Sequence, residues 1–117
     1  MLQCVARRAL AFAAGGALVF SSGIGLAQQI AAVPPNQVTI DNFAFGPTIL
    51  TVAKGTEIVW LNKDEEPHTV ISVDKTEAFK SPALDTDDKF THVFDKPGIY
   101  KYFCSIHSHM TGTIIVK

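Results

Sequence analysis

From residue 38 onward apolar and polar positions alternate with a period of two, the pattern of strands that bury one face. Six such runs cover residues 38–43, 45–52, 56–62, 68–73, 90–94 and 99–104, and a β-branched run over 113–117 closes the chain. Lys54-Gly55 and Pro97-Gly98 supply turn residues between runs. Within 56–62 the alternation sets Ile58, Trp60 and Asn62 on one face, which makes Trp60 a core anchor and aims Asn62 at the upper end of a sheet. Residues 74–89 are polar, contain Pro82, Asp85, Asp87 and Asp88, and predict a loop with room for one helical turn around 75–79. About seven short strands with regular turn signals and almost no helix predict an all-β fold, a Greek-key β-sandwich over residues 38–117.

The first 27 residues follow a different pattern. Arg7 and Arg8 precede an apolar run of small residues over 9–20, and Gly25-Leu26-Ala27 closes it. That is the layout of a secretory signal cleaved after Ala27. An uncleaved anchor is the other reading, because the apolar stretch over 9–27 approaches the roughly 20 residues a spanning helix needs. Its many Gly, Ala and Ser residues favour the signal. Residues 28–37, with Pro34-Pro35, read as an extended leader. The expected location is the periplasm, as a monomer with no membrane attachment once the signal is removed.

Cleavage would take away Arg7, Arg8 and Cys4, and a chain with 10 basic against 11 acidic residues then becomes mildly acidic. With no basic stripe and no aromatic platform, nothing in the chain suits nucleic acid. One cysteine remains, so no intramolecular disulfide can form. An exported domain that keeps a single thiol needs a task for it, and metal ligation is the best available. A domain of about 90 residues is short of core, so a bound metal would also add stability by favouring the folded state.

The candidate chemistry sits between the last two runs, where Cys104, His107 and Met110 are spaced three apart on one loop. A second imidazole, His68, follows Pro67 at the start of the fourth run. If that strand lies antiparallel to the one ending at Cys104, its start and the other's end share one end of the sheet. Thiolate, two imidazoles and a weak thioether suit copper, which must be held as soft Cu(I) and harder Cu(II). His109 stands between the loop donors and competes with Met110 for the fourth position. His92, in mid-strand, reads as a partly exposed sheet residue, and Asp64-Glu65-Glu66 as a solvated loop that biases which partners approach.

The residues 55–62, Pro67-His68, Pro97-Gly98 and Tyr100 to Cys104, with His107 and Met110, resemble those of the cupredoxins, the small blue-copper proteins, and most closely the amicyanin group. Amicyanins share the Cys-x-x-His-x-x-Met spacing, whereas plastocyanins and pseudoazurins place the methionine two residues later, where this chain has Gly112. The resemblance implies one type 1 copper ion per chain, held by His68, Cys104, His107 and Met110, and a one-electron carrier rather than an enzyme. It favours Met110 over His109, because the residue before the methionine does not bind metal in that group. It implies that Asn62 hydrogen-bonds and stiffens the ligand loop. It also implies that His107 presents its edge in an apolar patch with Ile106 and Pro67, where redox partner proteins dock transiently. The loop departs from the amicyanin pattern in holding Ile106 and Ser108 where prolines usually stand. Copper storage or delivery without electron transfer is the alternative function.

Overall fold

The computed structural model describes residues 15–17 and 33–117. The chain divides into two units, Met1–Ala31 and Ala32–Lys117. The expected signal segment over 1–27, apart from residues 15–17, and leader residues 28–32 lie outside the described residues.

The second unit is built from eight strands: β1 Gln37–Asp41, β2 Ala44–Gly46, β3 Ile49–Val52, β4 Glu57–Asn62, β5 Ile71–Ser72, β6 Lys89–Val93, β7 Gly98–Phe103 and β8 Thr111–Val116. They form two four-stranded sheets, ordered β2-β1-β4-β6 and β3-β8-β7-β5. The architecture is an all-β sandwich. β1 runs parallel to β4 and β3 parallel to β8, while the other neighbouring pairs are antiparallel.

The alternation read from the sequence is what packs the two sheets. Ile58, Trp60 and Asn62 point inward from β4, Tyr100 and Tyr102 from β7, and Ile114 and Val116 from β8. Trp60 is fully buried, its ring edge-on to Tyr102 at 5.5 Å and stacked with Phe79 at 5.8 Å. Edge-on and offset arrangements of this kind add about 0.5–1.5 kcal/mol beyond the apolar area they bury.

Several local expectations change. The run over 45–52 is two strands in different sheets, because Pro47 has no N–H to donate to a ladder and the chain crosses between sheets there. The run over 68–73 keeps only Ile71–Ser72 as a strand, with His68 on an isolated bridge to Leu84. Around 75–79 the chain makes a turn, with Thr76 N–H on the Asp74 carboxylate at 3.0 Å, and no helical turn forms there. The first strand, expected from Val38, begins at Gln37, whose N–H closes a turn onto the Pro34 carbonyl at 3.0 Å.

Candidate metal centre

β5 lies antiparallel to β7, with Ile71 opposite Phe103 and Ser72 opposite Tyr102. The segment leading into β5 therefore begins where β7 ends, and this brings His68 to Cys104 across a gap of 36 residues. Both sides are anchored by main-chain hydrogen bonds. His68 N–H donates to Leu84 O at 3.1 Å, and Leu84 N–H to His68 O at 2.7 Å. Across the ligand loop, Cys104 N–H donates to Met110 O at 3.1 Å and Met110 N–H to His107 O at 2.9 Å. These bonds close the loop without the prolines of the amicyanin pattern.

Three donor atoms converge. Cys104 Sγ lies 3.9 Å from His68 Nδ1 and 4.0 Å from His107 Nδ1, and the two imidazole nitrogens are 3.2 Å apart. A circle through these atoms has a radius of about 2.2 Å, between the zinc–imidazole and zinc–thiolate bond lengths of ~2.0 and ~2.3 Å. One ion of that size class fits among them without moving a side chain. His68 and Cys104 are fully buried and His107 half-buried. Met110 is 4% exposed and belongs to the same buried cluster as Cys104. His109 is exposed, and it is not part of the group whose donor atoms lie within 4.8 Å of one another. The His68, Cys104, His107 and Met110 cluster is consistent with one type 1 copper centre.

The groups behind the donors set their chemistry. Burial pushes the Cys104 thiol up, but the Thr69 and His107 N–H groups, the His68 ring and the Ile106 N–H together outweigh it and bring the thiol down to about 6. Thr69 N–H reaches Sγ at 3.4 Å and its hydroxyl lies 3.7 Å from the same sulfur. That hydroxyl also accepts Ser105 N–H at 2.9 Å and meets Ser105 Oγ at 3.0 Å. Thr69 thus ties the His68 side of the site to the Cys104 loop. The part expected of Asn62 is different in the structure. Its amide donates to Glu66 O at 2.9 Å and Leu84 O at 2.8 Å and accepts Asp64 N–H at 2.8 Å, so it stiffens the segment carrying His68. The one sign of Thr69 in the sequence is a hydroxyl residue directly after the upstream imidazole.

Two more residues escape sequence reasoning. Asp64 is turned inward, its side chain 13% exposed, and its Oδ2 pairs with His68 Nε2 at 2.9 Å while accepting Phe43 N–H at 3.0 Å. The Phe43 N–H and then the His68 ring hold the Asp64 carboxyl below its ordinary value. A nitrogen facing a carboxylate carries the ring proton, so His68 Nδ1 keeps its lone pair for the ion. Glu65 and Glu66 are exposed, as expected for that loop. Phe43 sits at the tip of the β1–β2 hairpin, edge-on to His68 at 5.7 Å and to His107 at 5.0 Å. Asn42 and Phe43 have φ of 49° and 58°, the two positive values of a type I′ turn. A four-residue spacing from carboxylate to imidazole is the only trace of Asp64 in the sequence, and Asn42 the only trace of the turn. His92 lies half-buried on β6, its ring nitrogen 3.4 Å from Glu77, away from the site.

The sequence model described as a cupredoxin-like domain matches residues 11–116. Amicyanin-alpha of Methylorubrum extorquens is 31% identical over 121 residues, covering 94% of this chain and 99% of that protein. Amicyanin of Paracoccus denitrificans is 29% identical over 123 residues, covering 98% and 94%. Among solved structures, a novel purple cupredoxin from Nitrosopumilus maritimus is 34% identical with a TM-score of 0.64, over 69% of this chain and 98% of that one.

Proposed function

We propose, given that the chain belongs to the cupredoxin-like domain family, that it is a periplasmic one-electron carrier whose ion is held by His68, Cys104 and His107, with Met110 as the weak axial donor. The observation that carries this reading is the donor triangle, one thiolate sulfur and two imidazole nitrogens within 4.8 Å at one end of the sandwich. When bound, copper supplies a Cu(I)/Cu(II) couple.

The chain's own part is to keep the donors still. The His68 backbone is paired with Leu84, and Cys104, His107 and Met110 are tied to one another by main-chain bonds within their loop, so a change of charge at the site meets little rearrangement, and low rearrangement favours fast exchange. Thr69 N–H stabilises the thiolate, and Asp64 orients the His68 ring. His107 is the donor nearest solvent, with Phe43, edge-on to its ring, 49% exposed and the preceding residue Ile106 48% exposed, while Pro67, next to His68 in the chain, is half-buried. A small apolar surface of this kind suits brief docking of redox partner proteins at that end. Residues 1–27 would direct the chain to the periplasm as a cleaved signal.

The test is to add Cu(II) to the domain and record its visible spectrum and voltammogram. The expected result is an intense blue band and a reversible couple, the band lost in Cys104→Ser and displaced in Met110→Ala. A band that His109→Ala displaces more than Met110→Ala does would overturn the axial assignment. Copper that leaves readily to a chelator, with no reversible couple, would favour storage or delivery.

A further inference from the structure

The carboxylate behind His68 is more than a loop residue. Asp64 is the only acidic side chain whose oxygen reaches a ring nitrogen of the donor triangle among the described residues, at 2.9 Å. His68 is fully buried, and the Asp64 side chain is shielded to 13% exposure. The charge therefore acts on the imidazole through a path largely free of solvent, where screening is weak. The same Oδ2 is pinned by Phe43 N–H, and Oδ1 accepts Glu65 N–H at 3.2 Å, so the carboxylate cannot swing away from the ring.

Resting on the copper reading above, we propose that Asp64 is a positioning residue that sets the reduction potential of this site. Its carboxylate holds the proton on Nε2, commits Nδ1 to the ion, and places a negative charge on the far side of the ring. A fixed negative charge favours the ion with the larger positive charge, so Asp64 shifts the couple toward Cu(II). Outer partners of this type change metal affinity or activity by ~10–100-fold when removed.

The experiment compares wild type, Asp64→Asn and Glu65→Gln, each loaded with copper, by spectrum and voltammetry. Asparagine keeps an acceptor for Nε2–H and Phe43 N–H but removes the charge, whereas Glu65 is exposed and touches no donor. The expected result is a blue band retained in all three, with the Asp64→Asn couple moved at least tenfold toward Cu(I), which is ~59 mV upward for one electron. Glu65→Gln should move it less than half as far. If Asp64→Asn shifts no more than Glu65→Gln, the proposal falls while the copper site stands. If wild type forms no blue centre, the electron-carrier reading falls and takes this one with it. Should Asp64→Asn not fold, proton NMR of the wild-type Cu(I) protein decides. A His68 Nε2–H that exchanges more slowly than that of half-buried His107 supports the pairing, and one that exchanges as fast overturns it.

Discussion

Thr69 is 7% exposed and makes no contact that its residue type advertises, yet its one hydroxyl serves both halves of the site. Replacing it with alanine removes the acceptor of Ser105 N–H, and because Ser105 is exposed and water can take that place, the loss is the net worth of one hydrogen bond, about 0.5–1.5 kcal/mol. Thr69→Ala should therefore lower the unfolding free energy of the copper-free domain by that amount in urea titrations, with Thr69→Ser close to wild type. The donors themselves are legible in the sequence because cysteine, histidine and methionine at this fixed spacing have few roles outside metal binding. Thr69 and Asp64 are not, because threonine and aspartate are ordinary loop residues until the fold shows what they face. The place of Asn62 at the end of β4 is legible from the alternation and its bracing role comes from the family resemblance, but it braces the segment carrying His68 and not the ligand loop.

Among the elements, β7 and β8 show how closely the sheets are fitted. Gly112 lies opposite Tyr102, and a Cβ there would overlap the Tyr102 ring and hydroxyl. Both flanking strands are fixed by ladder bonds, so neither can give way. Gly112→Ala is expected to destabilise the domain by about 1–3 kcal/mol, seen as a lower denaturation midpoint, and Tyr102→Leu in the same chain should restore part of the loss. Non-additivity of the pair would reveal the contact directly. Strand alternation makes most of these elements readable in advance. Two failures have local causes: the break at Pro47 is a topological crossing that periodicity does not encode, and the Asn42-Phe43 turn lacks the glycine that usually marks a type I′ hairpin. Positive φ at a phenylalanine is costly, of order 1–3 kcal/mol, and here it lays the ring against both imidazoles.

For the molecule as a whole, an ion bound only by the folded state adds stability in proportion to the logarithm of its excess over the dissociation constant. At a hundredfold excess this is about 2.7 kcal/mol, and for a domain of this size it raises the Tm by roughly 10–20 °C. Calorimetry with and without copper should show that rise, and Cys104→Ser should abolish it. The rise also depends on pH. Folding lowers the thiol from its ordinary 9.0 to about 6, so the thiolate's contribution to the copper-free domain is complete above pH 9 and lost as pH falls toward 6. Because the thiolate is also the donor, the copper-induced rise in Tm should shrink as pH drops through about 6.

The parallel pairing of β1 with β4 has a consequence for how this domain could be attached to other things. β1 ends beside Asn62, at the donor end, so Gln37 lies at the opposite pole. β8 runs away from Thr111, pairing Val116 with Gly98, and Lys117 reaches that same pole. A fusion partner or an electrode tether joined through either residue would leave His107 facing outward and unobstructed.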